Sequence, residues 1–179
     1  MDFRDIKEHI KDISVYIIII LAVVFCVQYV VTIQQVMGPS MEPTLYEGHA
    51  VLLNKLSYKI GKINRGDIVV LNYKNTKYMV KRVVGLPGEK IEYKDNILYI
   101  NGDPFKEKYL GNEVITEDFD ISQLKNSESD TIPEDMYLVL GDNRENSEDG
   151  RHYGLISKKE IVGKSMIRIW PINKIGFVK

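Results

Sequence analysis

The stretch ISVYIIIILAVVFCVQYVVTI, residues 13–33, divides this 179-residue chain into two parts of different character. It contains no charged residue, and as a helix it would be about 31 Å long, enough to cross the hydrocarbon core of a bilayer. A buried core helix is a weaker interpretation, because apolar runs of about 18 or more residues are typical of spanning helices. A cleavable signal peptide would have a shorter apolar core followed by a small-residue cleavage site. We therefore predict a retained transmembrane helix over residues 13–33.

The charges on either side of this stretch predict its orientation. Arg4, Lys7 and Lys11 precede it, whereas the first cation that follows it is Lys55. The positive-inside rule then places residues 1–12 in the cytoplasm and residues 34–179 outside. We expect a single-pass protein of the cell membrane, with the lipid bilayer as one of its partners.

The overall composition excludes several functional classes. Lys plus Arg is 24 and Asp plus Glu is 25, which gives a formal net charge of -1. This balance leaves no basic excess to neutralise a phosphate backbone, so we expect no nucleic-acid partner. Cys26 is the single cysteine, which excludes an intramolecular disulfide. A zinc site would need the three histidines and carboxylates, and no such site is predicted.

The part of the chain after residue 34 is predicted to be mainly β. Runs rich in β-branched and aromatic residues alternate there with turn sequences that contain Gly, Pro, Asn and Asp. The predicted strands are His49–Asn54, Asp67–Tyr73, Tyr78–Val84, Lys90–Tyr93, Ile97–Ile100, Met136–Leu140 and Ile161–Trp170. Residues 90–135 are predicted to form a hairpin and loop insertion, with the acidic part from 113 to 135 as a solvated connector. The expected fold is an antiparallel β-barrel or sandwich behind one transmembrane helix.

The first candidate site segment is GPSMEPTL, residues 38–45. Its glycine and two prolines fix an irregular backbone around Ser40, which can expose the hydroxyl beside free backbone N–H groups. The segment is not the nucleophile elbow of the α/β-hydrolases, because that motif requires glycine where Glu42 stands. Taken alone, Ser40 is more typical of a turn former than of a nucleophile.

The second candidate segment is YMVKRVVGLPGE, residues 78–89. Alternation along a strand places Lys81 on the same face as Met79 and Val83. A lysine that is desolvated on such a face loses its charge more easily and can then act as a general base. A cation on an exposed edge is the simpler interpretation of this segment alone.

The third candidate segment is GDNRENSEDGRHYG, residues 141–154, directly after the apolar strand 136–140. A polar segment that leaves a core strand is usually a surface loop, and such loops also collect site residues. It is not a calcium loop, because Arg144 occupies a ligand position and Ser147 stands where glycine is required. The S-x-x-K sequence at 122–125 is a chance match to the β-lactamase motif, since S-D-N and K-T-G are absent.

In this order behind one N-terminal span, these segments resemble bacterial type I signal peptidases, in particular the compact forms of Gram-positive bacteria. The matching stretches are SMEPTL at 40–45, RGDIVVL at 65–71, KRVVGLPGE at 81–89 and GDNRENSEDGR at 141–151. The resemblance extends from about residue 13 to 170. It implies a membrane-bound serine endopeptidase that removes signal peptides from exported preproteins after small residues, of the Ala-x-Ala type. It also implies that residues 34–179 form the catalytic domain.

The resemblance implies a catalytic role for three residues. Ser40 would be the nucleophile, and Lys81 the general base that activates it and later activates water to release an acyl-enzyme. Ser147 would accept or donate a hydrogen bond that orients the Lys81 amine. No metal and no cofactor is required for this chemistry.

The resemblance also implies supporting ion pairs and a substrate-binding cleft. Asp149 would pair with Arg151 to hold the loop, and Asp142 with Arg82. The substrate would bind in an extended conformation and add a strand to a sheet edge. The residues expected to line its pockets are Val36, Met37, Gly38, Met41, Leu45, Met79 and Val80.

Two positions depart from the pattern of the family. Some relatives have a serine at the position of Gly38, whose hydroxyl helps to hold the oxyanion. Here we expect the oxyanion to be stabilised by backbone N–H groups, including that of Ser40. Relatives often have serine at the position of Gly150, so the local hydrogen bonding is expected to differ.

Two other functions are weaker alternatives. An autoproteolytic repressor with the same serine–lysine chemistry would have an N-terminal DNA-binding domain where this chain has an apolar span. A catalytically inactive, membrane-tethered β-domain would be expected to lack Ser40 or Lys81, and both are present.

Overall fold

In a computed structural model, which describes residues 3–56, 61–111, 113–127 and 129–178, an N-terminal helix precedes a series of β-strands. Helix α1 spans Phe3–Phe25 and continues as a π-helical turn, Cys26–Val30. The strands are β1 (Val31–Gln35), β2 (Ala50–Asn54), β3 (Ile68–Tyr73), β4 (Lys77–Gly85), β5 (Ile91–Lys94), β6 (Ile97–Ile100), β7 (Asp103–Phe105), β8 (Phe119–Asp120), β9 (Met136–Leu140), β10 (Ile156–Ser157), β11 (Ile161–Trp170) and β12 (Gly176–Phe177). A short helix, α2, spans Gly150–Tyr153.

The strands form two antiparallel sheets. The first is 8-stranded in the order β1-β2-β11-β3-β4-β9-β10, with β12 also paired to β11. The second is 4-stranded in the order β7-β6-β5-β8 and belongs to the insertion between β4 and β9. The predicted fold class, mainly antiparallel β behind an N-terminal apolar helix, is confirmed.

All predicted strands correspond to observed ones, and three of them, at 97–100, 136–140 and 161–170, have the same ends. The strands β7, β8, β10 and β12 were not predicted, because two or three residues are too few to show an alternating pattern. The acidic part of the insertion, predicted as a connector, contains β8 and a 3₁₀ turn at Ile121–Gln123.

The helix ends earlier than the predicted span. Residues 31–33, which we predicted within the span, belong to β1 and pair with β2 in the register Val31↔Asn54, Thr32↔Leu53 and Ile33↔Leu52. Consecutive β-branched residues explain the difference, because they suit a strand and are as apolar as the helix before them. The segment Lys11–Val30 is still long and apolar enough to cross a membrane, and none of it is buried within the described structure.

Strand β4 holds the core together and carries the second candidate segment. It is hydrogen-bonded to β3 on one side and to β9 on the other. Its buried side chains contribute to three separate apolar clusters: Val84 to the first, Met79 and Val83 to the second, and Val80 to the third. Each such side chain stabilises the fold by roughly 1.5–3 kcal/mol on burial. Pairing on both sides and packing in three clusters therefore hold the backbone of β4, and with it the second candidate segment, in place.

Candidate active site

Ser40 lies in a tight turn that follows β1. The backbone N–H of Val36 donates to the His49 carbonyl at 2.8 Å, and Gly38 then turns the chain with a positive φ of 75°. On the far side of the turn, Asn143 donates its backbone N–H to the Ser40 carbonyl at 3.1 Å and its side-chain amide to the Pro39 carbonyl at 3.2 Å. These bonds hold Ser40 against the start of the loop 141–149.

Lys81 is a buried lysine in the middle of β4, with only 3% of its surface exposed. Its Nζ donates a hydrogen bond to Ser147 Oγ at 3.1 Å. Burial lowers the pKa of Lys81 to about 8, and the negative charge of Asp149 opposes this effect in part, while Lys77 and Arg151 add to it. With that pKa, roughly one molecule in ten has a neutral amine at pH 7, compared with fewer than one in a thousand for an ordinary lysine.

Ser40 and Lys81 line the same cleft, whose volume is about 620 Å³. Four of the residues predicted to bind substrate also line it, namely Met37, Gly38, Met79 and Val80. The sequence reasoning missed the other lining residues, which are Gln34, Gln35, Pro39, Val70, Thr76, Lys77, Tyr78, Asn146 and Glu148. Alternation from Lys81 back along β4 is a signal that could have found Lys77, because the two side chains share a face of the strand.

Three residues that were predicted to line the pockets lie elsewhere. Val36, Met41 and Leu45 are almost completely buried in the third apolar cluster, against Val51, Leu53 and Ile68. The turn around Gly38 and Ser40 directs the following residues into the core instead of the cleft. These buried side chains therefore anchor the chain to the core before and after the Ser40 turn.

The loop that contains Ser147 is held by the buried carboxylate of Asp149. The carboxylate accepts a hydrogen bond from the Gly141 backbone N–H at 2.9 Å and from Arg151 Nε and Nη2, each at 2.9 Å. Burial by itself would raise the pKa of Asp149, but the Arg151 charge and these hydrogen bonds outweigh it and hold the pKa below its usual value. The carboxylate is therefore ionised at neutral pH, and the loop is fixed by charged hydrogen bonds.

Glycine is required at two positions beside this loop. A Cβ on Gly141 would run into Ser147 Oγ and the Ser40 carbonyl oxygen. A Cβ on Gly150 would lie 2.8 Å from both Leu138 Cδ1 and the Val139 carbonyl oxygen. The close contact at Gly150 arises because α2 packs directly on β9.

Arg82 and Asp142 form a buried ion pair behind the cleft. Arg82 Nε donates to Asp142 Oδ1 at 2.8 Å and Nη2 to Oδ2 at 2.7 Å, with 1% and 0% of the two side chains exposed. The Thr44 hydroxyl also donates to Asp142 Oδ2, at 2.5 Å. The pair thus links β4, the Ser40 segment and the loop 141–149. Removing one partner of such a pair typically costs about 3–5 kcal/mol of stability.

Comparison with known proteins identifies the family. The family model described as "Signal peptidase, peptidase S26" matches residues 6–170. The chain belongs to this signal peptidase family. Signal peptidase IB of Staphylococcus aureus strain MRSA252 is 39% identical over 97% of this chain and 94% of its own length. Signal peptidase I of Bacillus caldolyticus is 42% identical over 78% of this chain and 80% of its own.

A solved structure supports the same assignment. The crystal structure of a signal peptidase I from Enterococcus faecalis V583 is similar, with 41% sequence identity and a TM-score of 0.53, over 59% of this chain and 97% of that chain. The predicted family resemblance is therefore confirmed. As a signal peptidase of the S26 family, the chain is a serine endopeptidase that processes signal peptides.

Proposed function

We propose that the chain cleaves signal peptides with Ser40 as the nucleophile and Lys81 as the general base. The observation that carries this proposal is the state of Lys81, a buried amine in the Ser40 cleft with its pKa lowered to about 8. An amine that is partly neutral at pH 7 can accept a proton from a serine hydroxyl, whereas an ordinary lysine rarely can.

The reaction then proceeds in two halves. Neutral Lys81 takes the proton from Ser40 Oγ, and the oxygen attacks the scissile carbonyl to give a tetrahedral intermediate. Collapse of the intermediate breaks the peptide bond, the amine of the mature protein leaves with the proton from Lys81, and the signal peptide remains as an ester on Ser40. Lys81 next deprotonates a water molecule that hydrolyses the ester. Backbone N–H groups stabilise the oxyanion, each by roughly 3 kcal/mol.

The surrounding residues have supporting roles in this proposal. Ser147 orients the Lys81 amine through the 3.1 Å hydrogen bond between them. Asp149 and Arg151 hold the loop on which Ser147 lies, and Arg82 and Asp142 hold β4 against the Ser40 segment. Both ion pairs therefore help to fix the positions of Ser40 and Lys81 relative to each other.

The walls of the cleft and the open edge of β4 support binding of an extended substrate with small residues before the cleaved bond. Met37, Met79 and Val80 supply an apolar wall. Strand β9 pairs with β4 only from Arg82 onward, so among the described residues no strand covers the other edge of the segment from Lys77 to Lys81. An extended substrate that adds to this edge would place alternate side chains against the wall, as in Ala-x-Ala recognition.

Anchoring in the bilayer completes the proposal. Helix α1 would cross the membrane with its N-terminus in the cytoplasm, and Ser40 follows the end of the helical segment at Val30 by ten residues, at most about 35 Å of extended chain. The β-domain also exposes large apolar side chains, Trp170, Ile172, Ile175 and Phe177, as expected of a surface beside lipid. The active site then lies close to the outer surface of the cell membrane, where the cleavage site of an inserted signal peptide emerges.

Cleavage of a test preprotein by the full-length chain and its Ser40→Ala variant tests the proposal. We expect the variant to lose at least about a thousandfold in rate, since the nucleophile is removed. Ser122→Ala, which changes an exposed serine outside the cleft, serves as the control. Mass spectrometry of the products locates the cut. Substantial cleavage by Ser40→Ala at the same bond would contradict the assignment of the nucleophile.

A further inference from the structure

The insertion between β4 and β9 reaches into the interior of the protein at Glu107, shortly after β7. The two carboxylate oxygens of Glu107 accept hydrogen bonds from Arg144, Oε1 from Nη2 at 2.6 Å and Oε2 from Nη1 at 3.1 Å. The Arg144 side chain is completely buried and that of Glu107 is 8% exposed. A buried, bidentate ion pair of this kind is geometrically rigid. The insertion is therefore anchored in the protein interior at Glu107.

Arg144 joins the insertion to the loop that carries Ser147. Its Nε donates to the Gly141 carbonyl at 3.0 Å, and Nη1 donates to the Thr116 hydroxyl at 2.8 Å. Arg151 Nη2 donates to the Arg144 carbonyl at 2.6 Å. The position of this loop is thus fixed from the insertion as well as from Asp149.

Tyr109 joins the same point of the insertion to β4. Its hydroxyl donates to Glu107 Oε1 at 2.5 Å, and the guanidinium of Arg82 lies 4.0 Å from the centre of its ring. Arg82 is the residue that follows Lys81. Glu107 and Tyr109 therefore connect the strand that carries Lys81 with the loop that carries Ser147.

We propose that Glu107 and Tyr109 are positioning residues of this peptidase. From outside the cleft, they keep Lys81 and Ser147 at hydrogen-bonding distance from each other. Neither residue lines the Ser40 cleft, so they act through Arg144 and Arg82. The inference rests on the proposed role of Lys81 as the general base. It assigns a role in the reaction to a segment that carries no sequence motif of its own.

The proposal has a consequence for the pH dependence of the reaction. The charged groups that face Lys81 are Lys77 on β4, Glu148 and Asp149 on the loop, and Arg151 on α2. If the loop moves away from β4, the amine loses its bond to Ser147 and becomes hydrated. Desolvation is the largest cause of the lowered pKa, so the pKa of Lys81 then rises toward its ordinary value. Cleavage should then require a higher pH.

The test measures kcat, KM and the pH profile of the full-length protein with Glu107→Gln and Tyr109→Phe. The control is Glu113→Gln, the same chemical change at an exposed position of the same insertion. For Glu107→Gln we expect kcat at pH 7 to fall about 10- to 100-fold, as for misplacement of a catalytic group by about 1 Å. KM should change little, and the rise of activity with pH should move to higher pH. Tyr109→Phe should change both quantities in the same direction but less, and Glu113→Gln should match the unchanged protein.

Several results would overturn the proposal. For Glu107→Gln and Tyr109→Phe, a kcat and a pH profile equal to those of Glu113→Gln would contradict it, whatever the unfolding temperature, and a lowered unfolding temperature would then show a purely structural role. If Glu107→Gln does not fold, Tyr109→Phe decides, because it removes one hydroxyl and keeps the ring against Arg82. An active Ser40→Ala variant would instead refute the proposed function, so the two failures are distinguishable.

Discussion

The lowered pKa of Lys81, the proposed base, results from opposing effects at one position. Removal of water from the Lys81 amine disfavours its charged form, and this effect is larger than the attraction of the buried Asp149 carboxylate. Asp149 is itself bound to Arg151 and to the Gly141 N–H, which limits its influence on Lys81. The negative charge of Asp149 is thus partly offset by Arg151 and the Gly141 N–H, and the pKa of Lys81 remains at about 8.

Ser147→Ala tests the hydrogen bond that orients this amine. The change leaves a buried amine without its 3.1 Å partner, so we expect kcat to fall roughly 10- to 100-fold while the fold is kept. Steady-state kinetics between pH 6 and 9, with circular dichroism to verify folding, provide the measurement. Ser122→Ala on the surface is the matched control. Kinetics that equal those of the control at every pH would exclude Ser147 from the site.

The position of the loop 141–149 depends on Gly141, because the close packing there leaves no room for a side chain. Because a Cβ on Gly141 meets both Ser147 Oγ and the Ser40 carbonyl, Gly141→Ala must displace the two candidate catalytic segments from each other. We expect a loss of kcat of about 100-fold and a destabilisation of about 1–3 kcal/mol from overpacking. Gly111→Ala is the control, since a Cβ there has no heavy atom within 4 Å. Equal activity and equal unfolding temperature in the two variants would contradict the packing described here.

The strands were the most predictable elements of the fold. Long runs such as 67–73 and 161–170 combine β-branched residues with clear turn sequences, so their ends were predicted within a residue or two. Strand β1 was not predicted, because an apolar strand that continues directly from an apolar helix shows no change in composition. Its assignment depends on pairing with β2, which is a tertiary contact that local sequence does not encode.

The sequence predicted the candidate site residues that belong to a motif. It did not predict those whose role depends on tertiary contacts. Ser40, Lys81 and Ser147 stand in recognisable segments, and the structure brings all three to one region. Met41 and Leu45 were predicted in the cleft because their positions next to Ser40 do not reveal which side of the turn faces the core. Glu107 lies in a polar stretch, and its contacts with Tyr109 and with the distant Arg144 distinguish it from the surrounding surface residues.

At the scale of the whole molecule, the boundary between helix and β-domain determines what can be removed. A chain that starts at Val30 keeps β1 and the bond from the Lys55 N–H to the Val30 carbonyl, whereas a chain that starts at Val36 loses the edge strand. We expect the first to fold and to cleave short peptides. The second should unfold at a lower temperature, because β2 loses the backbone hydrogen bonds to its edge partner β1. Equal unfolding temperatures would show that β1 contributes nothing to the domain.

The chain that starts at Val30 also tests the role of the anchor. Two partners held in one bilayer meet at a higher effective concentration than two partners in solution. We therefore expect this truncated chain to process a preprotein inserted in liposomes about 10- to 100-fold more slowly than the full-length protein, with equal rates on a short soluble peptide. Equal rates on the inserted preprotein at equal bulk concentration would show that the helix has no role in presenting the site.

The account as a whole depends on Lys81 as a base with a lowered pKa, and the pH profile of kcat/KM for a test preprotein measures this most directly. Since the neutral amine is the active form in the proposed mechanism, we expect kcat/KM of the full-length protein to rise about tenfold per pH unit from pH 6 and to level off near pH 8. Lys81→Arg keeps the charge but stays protonated throughout, so it should be inactive at every pH, whereas Lys90→Arg on the surface should follow the unchanged protein. Substantial cleavage by Lys81→Arg, or a flat profile for the unchanged protein between pH 6 and 8, would contradict the account.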